Sequence, residues 1–358
     1  MRKTRVLIID DAAAVRRLLS AALAGDPELE VAGAAANGRI GLAMIPQVCP
    51  DVLLLDLVMP EMDGLQVLEA IRVSHPRLPV VVFSALTQRG AIATLDALAL
   101  GAKDYLAKPT GLDGPGSADR MIREQLAPKL KALGGLAARD TSPAPAVVPV
   151  YGSPDPGPRR PEVVAIGIST GGPNALVTLL PQLPADLPAP VLIVQHMPPI
   201  FTRQLAERLN ARSAIAVSEA VAGQVVRPGQ AVVAPGGWHL VAEGHRDEVR
   251  VAINQDPPEH SCRPAVDVLF RSVARHFGPA VLGVVMTGMG QDGLYGSREI
   301  RRAGGRILAQ DEPSSVVWGM PGYVAREGLA DRVLPLDQLA DEIVRRVRGD
   351  VARVLHSA

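Results

Sequence analysis

The hydrophobic pattern of the first 110 residues alternates between two periods. Short runs that are apolar at almost every position, such as "DVLLLD" (51–56), alternate with stretches of helical period. Continuously apolar runs are typical of strands buried on both faces, and strands separated by helices indicate a parallel sheet. The pattern predicts strands at 5–10, 29–36, 51–56, 79–85 and 103–108, with helices at 12–24, 38–46, 64–74 and 89–100 between them.

Several polar residues of this region stand where the predicted strands end. Asp10 and Asp11 close the first strand, Asp56 the third, Ser84 the fourth and Lys108 the fifth. Functional groups of parallel sheets lie at the carboxyl ends of the strands, so these side chains should meet in one crevice. Three carboxylates would repel one another unless a cation such as Mg²⁺ lay among them, and the hydroxyl and ammonium groups could then bind a phosphoryl group. Alternatively, Asp10 and Asp11 only cap the first helix.

A stretch rich in proline and glycine divides the chain. In residues 134–161, 11 of 28 positions are Pro or Gly, and no hydrophobic period is present. Such stretches behave as semi-extended spacers, and a chain of 358 residues is long enough for two domains. We therefore expect a first domain at 1–133, a linker at 134–161, a second domain at 162–350 and a tail at 351–358.

The second domain begins with an apolar run that leads into "GISTGGP" (167–173). A glycine-rich turn between a strand and a helix can hold a phosphate, but these glycines do not follow the G-x-G-x-x-G order and no P-loop lysine follows them. The turn instead satisfies G-x-S-x-G, in which small neighbours expose the hydroxyl of Ser169. The alternative is an ordinary turn whose serine only caps the next helix.

Two later strands end in residues that could activate this serine. "PVLIVQHMPP" places His196 at the end of a buried strand that should lie beside the first and parallel to it. "AVLGVVMTG" (280–288) leads to Asp292, which could orient the imidazole as the acid of a Ser-His-Asp triad. Asp292 could instead be a turn or N-cap residue. The other six histidines, His260 among them, lack the placement of His196.

Composition and charge exclude several classes of function. Apolar residues make up 47% of the chain, yet no apolar run approaches the roughly 20 residues of a membrane span, and no signal segment opens the sequence. We therefore expect a cytoplasmic protein that is not inserted in a membrane. The chain has 37 basic and 37 acidic residues, which disfavours nucleic acid as a partner. Cys49 and Cys262 have no metal or redox spacing, so we expect packed or surface thiols.

The first domain resembles the response-regulator receiver family through "LIIDD", "LLLDLVMPEMDG" and "LAKP", over residues 4 to about 130. The resemblance implies a flavodoxin-like, five-stranded parallel sheet and a cis Lys108–Pro109 bond. It also implies a role for each matched residue: phosphorylation of Asp56 by a histidine kinase, Mg²⁺ binding by Asp10, Asp11 and Asp56, phosphoryl contacts from Ser84 and Lys108, and a switch at Tyr105.

The second domain resembles the catalytic domain of the chemotaxis protein-glutamate methylesterases (CheB), through "GISTGGPNAL", "VLIVQHMPPIFTRQLAERL", "APGGWHL", "RPAVDVLFRSVA" and "VVMTGMGQDG". The resemblance implies a doubly wound, mostly parallel α/β domain whose substrates are methyl-accepting chemoreceptors. It implies that Ser169 attacks a glutamyl methyl ester, that His196 is base and then acid, and that Asp292 orients His196. The same chemistry would deamidate receptor glutamines without a cofactor. The N–H groups of Thr170 and Met289 are the candidates for the oxyanion hole.

Two other classes of function remain open on the residues alone. A receiver fused to a nucleotide-binding module would also have a parallel sheet, although the phosphate fingerprint is missing. A non-catalytic adaptor would use the second domain as a docking surface and would need no triad. Covalent labelling of Ser169 by a serine-directed phosphonate would distinguish an enzyme from an adaptor.

Overall fold

The structure is a computed structural model that describes residues 2–109, 116–137, 160–245 and 248–349. The chain forms two compact units, residues 1–145 and 146–358. Most of the linker predicted at 134–161, and the tail predicted at 351–358, lie outside the described residues. The last helix of the first unit extends to Ala137, so its final turn includes the first four residues that the sequence assigned to the linker.

The first unit is an α/β fold around a five-stranded parallel sheet, as predicted. Its strands are β1 (Thr4–Ile9), β2 (Leu29–Ala35), β3 (Val52–Asp56), β4 (Val80–Ser84) and β5 (Asp104–Ala107). Its helices are α1 (Ala13–Ala24), α2 (Gly38–Val48), α3 (Gly64–Ser74), α4 (Gln88–Ala99), α5 (Ser117–Met121) and α6 (Ala127–Ala137). The strand order is β2-β1-β3-β4-β5, and every pairing is parallel. The predicted bounds of the strands and of the first four helices agree with the structure to within two residues.

Side-chain caps fix where three of these helices begin. Asn37 accepts a hydrogen bond from the N–H of Ile40 at the start of α2, and Thr87 caps α4 in the same way. Asp63 and Gln66 form a reciprocal capping box at the start of α3. Such caps satisfy N–H groups that have no partner within the helix, and each typically stabilises it by about 1 kcal/mol.

The second unit contains a larger parallel sheet and a small antiparallel one. Its strands are β6 (Val163–Ile168), β7 (Val191–Gln195), β8 (Ala216–Glu219), β9 (Val225–Val226), β10 (Gln230–Val233), β11 (His239–His245), β12 (Glu248–Asn254), β13 (Val281–Val285), β14 (Arg306–Gln310) and β15 (Arg332–Leu334). Its helices are α7 (Gly172–Leu179), α8 (Phe201–Asn210), α9 (Val266–Phe277), α10 (Leu294–Arg302), α11 (Met320–Arg326) and α12 (Leu336–Arg348).

The strand order of the large sheet is β15-β14-β13-β6-β7-β10-β8, again parallel throughout, and β11, β12 and β9 form the antiparallel sheet. The doubly wound, mostly parallel fold predicted for this unit is therefore confirmed. In each unit the strand order reverses beside the first strand, because β1 lies between β2 and β3 and β6 lies between β13 and β7. Ligands of such sheets bind at the carboxyl ends of the strands next to this reversal.

Two further sequence expectations concern local chain geometry and membrane insertion. The Lys108–Pro109 bond is trans, so the cis bond implied by the receiver resemblance is wrong; the cis bond of the described chain joins Arg263 and Pro264. With the trans bond, the Lys108 ammonium still reaches two carboxylates of the crevice. Within the described residues, no helix has the length and apolar character needed to cross a membrane.

Candidate active site

Ser169 and His196 lie side by side at the carboxyl edge of the seven-stranded sheet. Ile168 at the end of β6 pairs with Gln195 at the end of β7, so the next residues along the two strands are Ser169 and His196. The N–H of Ser169 donates to the carbonyl of Thr287, just beyond β13, at 3.0 Å. The serine is thereby fixed between the two strands that flank β6, with its side chain partly exposed.

The buried amide of Gln195 holds the two predicted residues in place. Its Nε2 donates to the carbonyls of Ser169 (3.0 Å) and His196 (3.2 Å), and the side chain is only 2% exposed. A Cβ on Gly172 would lie 1.9 Å from Oε1 of Gln195, so glycine is required where α7 passes this amide. Sequence reasoning missed Gln195 because its amide acts on backbone carbonyls, which a residue pattern does not reveal.

Asp292 is buried and accepts four hydrogen bonds. Its Oδ2 lies 2.7 Å from Nε2 of His196 and 2.6 Å from the N–H of Val266, and its Oδ1 accepts from the N–H groups of Asp267 (2.8 Å) and Gly293 (2.9 Å). Burial opposes the charged form, but the bonds from His196 and the N–H groups at the start of α9 lower the pKa of Asp292. Asp292 therefore binds the N-terminus of α9 as well as His196, but it is not the N-cap of the helix that follows it, because that position is Gly293.

His196 has two polar neighbours, Asp292 and Cys262. Burial of the ring opposes its charged form, but the neighbouring Cys262 and the hydrogen-bonded Asp292 carboxylate outweigh burial and raise the pKa of His196. The contact with Asp292 uses Nε2, which leaves Nδ1 as the ring nitrogen that can accept a proton. Cys262, which the sequence assigned no role, thus lies against the imidazole.

The structure brings His196 and Asp292 into contact but does not join Ser169 to His196 by a hydrogen bond among the described residues. Catalytic hydrogen bonds to a nucleophile are often long without substrate and tighten when substrate binds. Ser169 and His196 directly follow the paired residues Ile168 and Gln195, so the two side chains start from neighbouring positions at the same edge of the sheet.

Two backbone N–H groups beside Ser169 are available for an anion. Within the described residues, the N–H groups of Thr170 and Met289 donate to no carbonyl or side chain. A Cβ on Gly288 would lie 2.9 Å from Cβ of Ser169, so the chain before Met289 packs directly against the serine. Thr170 is 2% exposed, and its hydroxyl also lacks a partner among the described residues. The oxyanion hole at the N–H groups of Thr170 and Met289 stays a prediction.

A second crevice, at the carboxyl edge of the five-stranded sheet, gathers the predicted acidic residues. Carboxylate oxygens of Asp10, Asp11 and Asp56 all lie within 4.8 Å of one another. Asp10 and Asp56 are buried and Asp11 is exposed. The ammonium of Lys108 lies 2.8 Å from Oδ2 of Asp10 and 2.7 Å from Oδ2 of Asp56. This set of hard oxygen ligands fits Mg²⁺, with one side open for water and a phosphoryl group.

The charges of this crevice are coupled. Burial raises the pKa of Asp56, and the charge of Asp10 adds to the rise, while Lys108 offsets part of it. Burial opposes the charge of Lys108, but its hydrogen bonds to the two carboxylates raise its pKa. Asp10 also accepts from the N–H of Ala12 at 2.9 Å, but Ala12 is itself the N-cap of α1 and the helix has no side-chain cap, so the alternative that Asp10 and Asp11 only cap this helix is wrong.

Ser84 and Tyr105 lie on the strands beside this cluster. Phe83 pairs with Asp56, which places Ser84 one residue further toward the crevice, where its hydroxyl contacts the carbonyl of Gly90 at 3.2 Å. Tyr105 on β5 is buried, and burial together with Asp104 raises its pKa well above the usual value. Both residues thus occupy the predicted strand positions, while neither side chain bonds Asp56 in the described structure.

Comparisons with known proteins agree for both units. A family model described as "CheB methylesterase" matches residues 164–343, and one described as "Response regulator receiver domain" matches residues 6–114. The chain is 51% identical over 351 residues to a protein-glutamate methylesterase/protein-glutamine glutaminase of Trichodesmium erythraeum, which covers 97% of this chain and 100% of that protein. It is 42% identical over 359 residues to a protein-glutamate methylesterase/protein-glutamine glutaminase 2 of Methanosarcina mazei, and the match covers 96% of this chain and 96% of that protein.

A solved structure is also similar to the second unit. The crystal structure of the Thermotoga maritima CheB methylesterase catalytic domain superimposes with a TM-score of 0.51 and 39% sequence identity, covering 52% of this chain and 98% of that one.

The raised pKa of His196 predicts how the reactivity of Ser169 depends on pH. An imidazole must be neutral to accept the serine proton, so we expect labelling by a serine-directed phosphonate to accelerate with pH, with a midpoint above the ordinary histidine value of about 6.5. Asp292→Asn removes a charge that favours the imidazolium, so it should slow labelling and move the midpoint to lower pH. Labelling rates measured on the full chain, with Ser169→Ala as the unlabelled control, test this. A rate that does not change with pH would contradict it.

Proposed function

The chain belongs to the CheB methylesterase family and carries a receiver domain, and from this we propose that Ser169, His196 and Asp292 are its catalytic residues. The chain is a phosphorylation-regulated protein-glutamate methylesterase/protein-glutamine glutaminase. In this proposal the receiver occupies residues 1–133 and the methylesterase domain residues 162–350. The observation that supports the triad most directly is the 2.7 Å contact between Nε2 of His196 and Oδ2 of Asp292, beside the strand end that carries Ser169.

The first chemical step forms a bond between Oγ of Ser169 and the ester carbonyl carbon. Asp292 accepts the Nε2–H of His196, so Nδ1 takes the serine proton while the carbonyl electron pair moves to oxygen. Asp292 keeps its charge in this step because four hydrogen bonds stabilise it, and it stabilises the imidazolium in turn.

The developing oxyanion would be bound by the N–H groups of Thr170 and Met289. Neither group has a partner in the described residues, so no hydrogen bond must be broken when the anion forms. Each such donor typically lowers the barrier by about 2.7–4 kcal/mol.

The tetrahedral intermediate collapses when the carbon–methoxy bond breaks. The leaving oxygen takes the proton from Nδ1 of His196 and departs as methanol, which leaves a glutamyl ester on Ser169. Water then attacks this ester, His196 accepts the water proton and returns it to the serine oxygen, and free glutamate is released. A glutamine substrate follows the same steps with ammonia as the leaving group.

The carboxyl edge of the large sheet presents exposed apolar side chains suited to a protein substrate. Ile200 and Trp238 follow the ends of β7 and β10, Tyr295 follows β13, and Tyr323 lies on α11; each is between 37% and 48% exposed. Exposed apolar groups near a catalytic crevice are typical of surfaces that bind a macromolecule. They fit a protein substrate, and the family membership supports methyl-accepting chemoreceptors as that substrate.

In the receiver, Asp56 is the proposed phosphorylation site, with a chemotaxis-type histidine kinase as the phosphodonor in the cytoplasm. Asp10, Asp11 and Asp56 would hold Mg²⁺, which when bound neutralises the carboxylates and the incoming phosphoryl oxygens. Lys108 already bonds Asp56 and can transfer its hydrogen bond to the phosphoryl group. Ser84 and Tyr105 lie on neighbouring strands and are the proposed phosphoryl contact and switch.

The triad predicts the outcome of three substitutions. Ser169→Ala, His196→Ala and Asp292→Asn should each lower kcat for methanol release by about 10⁴-fold or more, and the serine and histidine losses should not add because the two residues act as one unit. Methanol released from methyl-labelled receptor membranes measures this. Ser218→Ala changes an exposed serine of the same unit and should behave as wild type. A His196→Ala variant that keeps most of its activity would rule out the triad.

The acidic crevice predicts metal-dependent phosphorylation. Asp56 should incorporate phosphate from acetyl phosphate only when Mg²⁺ is present, since three clustered carboxylates repel an incoming anion. Asp56→Asn should incorporate none, whereas Asp63→Asn, which changes an exposed carboxylate but keeps a good helix cap, should be normal. Phosphate incorporation with and without chelator measures this. Equal incorporation by Asp56→Asn would refute the site.

Regulation by the receiver predicts that phosphorylation changes ester hydrolysis. We expect acetyl phosphate with Mg²⁺ to raise methanol release by the full chain by about 5- to 150-fold, the range of typical coupling free energies between sites. Asp56→Asn should stay at the unphosphorylated rate in the same mixture. The same increase in both proteins would show that the phosphodonor acts elsewhere.

A further inference from the structure

A second histidine–aspartate pair lies next to the pair formed by His196 and Asp292. Nε2 of His260 is 2.8 Å from Oδ2 of Asp267, and Asp267 is completely buried. Ligand-type atoms of His260, Asp267 and Asp292 all lie within 4.8 Å of one another. A fully buried carboxylate is costly unless it is paired, and the proposed mechanism gives this one no task.

The two buried carboxylates bind the N-termini of each other's helices. Asp292, which precedes α10, accepts from the N–H groups of Val266 and Asp267 at the start of α9. Asp267 in the first turn of α9 accepts from the N–H of Gly296 in the first turn of α10, at 2.6 Å. A Cβ on Gly296 would lie 2.3 Å from Cβ of Phe270, so the two helices approach here as closely as glycine permits. Asp292 therefore cannot shift without disturbing Asp267.

One short turn contacts both histidine–aspartate pairs. Glu259 and Cys262 exchange two backbone hydrogen bonds (2.8 and 3.1 Å), and His260 and Ser261 between them have φ angles of 52° and 60°, in the left-handed region. This geometry sends the His260 ring to Asp267, while Cys262 at the end of the turn is near enough to His196 to raise its pKa. Non-glycine residues are strained in this region, and such strain persists only where surrounding contacts enforce it.

The charges of the two pairs are linked. Burial, together with the charge of Asp292, raises the pKa of Asp267, whereas the N–H of Gly296 and the ring of His260 act in the opposite direction. The His260 side chain is 31% exposed and stacks on Tyr295 at 6.0 Å between ring centroids, so it remains in contact with solvent. The other charged groups that act on this cluster are already paired: Arg271 with Glu259, and Arg298 with Glu327.

We propose that Asp267 and His260 are positioning residues of the esterase, which hold Asp292 against His196 and determine how much negative charge the imidazole experiences. The inference rests on the proposed triad, because it concerns the acid that orients the base. Asp267 fixes the geometry through the exchanged helix caps, and His260 disperses the charge that would otherwise stand unpaired beside Asp292.

The pH dependence of kcat/KM in full-length variants tests the proposal. Asp267→Asn keeps the shape of the side chain but removes its charge. The acid limb, which is the rise of kcat/KM with pH as His196 loses its proton, should therefore move to lower pH by about 0.5 unit. His260→Leu leaves the Asp267 charge without its ring donor, so the same limb should move to higher pH. In both variants kcat should fall about tenfold, which corresponds to about 1.4 kcal/mol of barrier, with KM unchanged.

Conservative replacement separates positioning from simple packing. His260→Gln can still donate a hydrogen bond to Asp267, so it should recover most of the kcat that His260→Leu loses. His276→Gln, at an exposed histidine in the last turn of α9, is the matched control and should leave both kcat and the acid limb unchanged.

The proposal is overturned if the acid limbs of Asp267→Asn and His260→Leu coincide with that of the His276→Gln control. A thermal melt shows whether Asp267→Asn folds. If it does not fold, the His260 variants alone test the proposal, and equal kcat values for His260→Leu and His276→Gln would overturn it. Failure of the triad would be seen differently, as activity retained by Ser169→Ala in an otherwise wild-type chain.

Discussion

The second unit depends on one buried carboxylate, Asp292. Two of its hydrogen bonds satisfy N–H groups at the start of α9 that have no partner within the helix, a third comes from the N–H of Gly293 before α10, and the fourth joins it to His196. Removing such an acceptor leaves several buried donors unpaired, each at a cost of about 1–3 kcal/mol. The carboxylate oxygens of Asp292 that stabilise the fold are therefore the same atoms that contact His196. The N-termini of the helices favour a negative charge, so they help to keep Asp292 ionised.

The two units share one feature of sheet topology, although the polar residues at their strand ends differ. In each sheet the first strand is an inner strand with later strands on both sides of it, so connections on its two sides leave the carboxyl edge in opposite directions. The space between them holds the acidic cluster in one unit and Ser169 with His196 in the other. A phosphoryl site needs clustered oxygens and a cation, while an ester site needs a nucleophile, a base and free N–H groups. A parallel sheet accommodates both because the polar groups lie at the ends of the strands or just beyond them.

Much of this arrangement could be predicted from the sequence, because period and topology locate strand ends. The fold class and the family are confirmed, and Asp10, Asp56, Ser169 and His196 lie at the predicted strand ends; their functional roles stay predictions. The prediction of a cis Lys108–Pro109 bond was wrong. Gln195 was missed because its amide bonds backbone carbonyls. His260 and Cys262 were missed because their positions depend on a left-handed turn, which has no periodic signature.

The central position of β6 has a consequence for how the enzyme comes into existence. Its pairing with β7 joins segments about one helix apart, but its pairing with β13 joins Val163 to Val281 and must close a far longer loop. Closing long loops is entropically costly, and non-local parallel pairing is slow. Since the nascent chain emerges from its N-terminus, Ser169 and His196 are synthesised well before Asp292. The contact between His196 and Asp292 can therefore form only after the segment that carries β13 has been synthesised and has paired with β6.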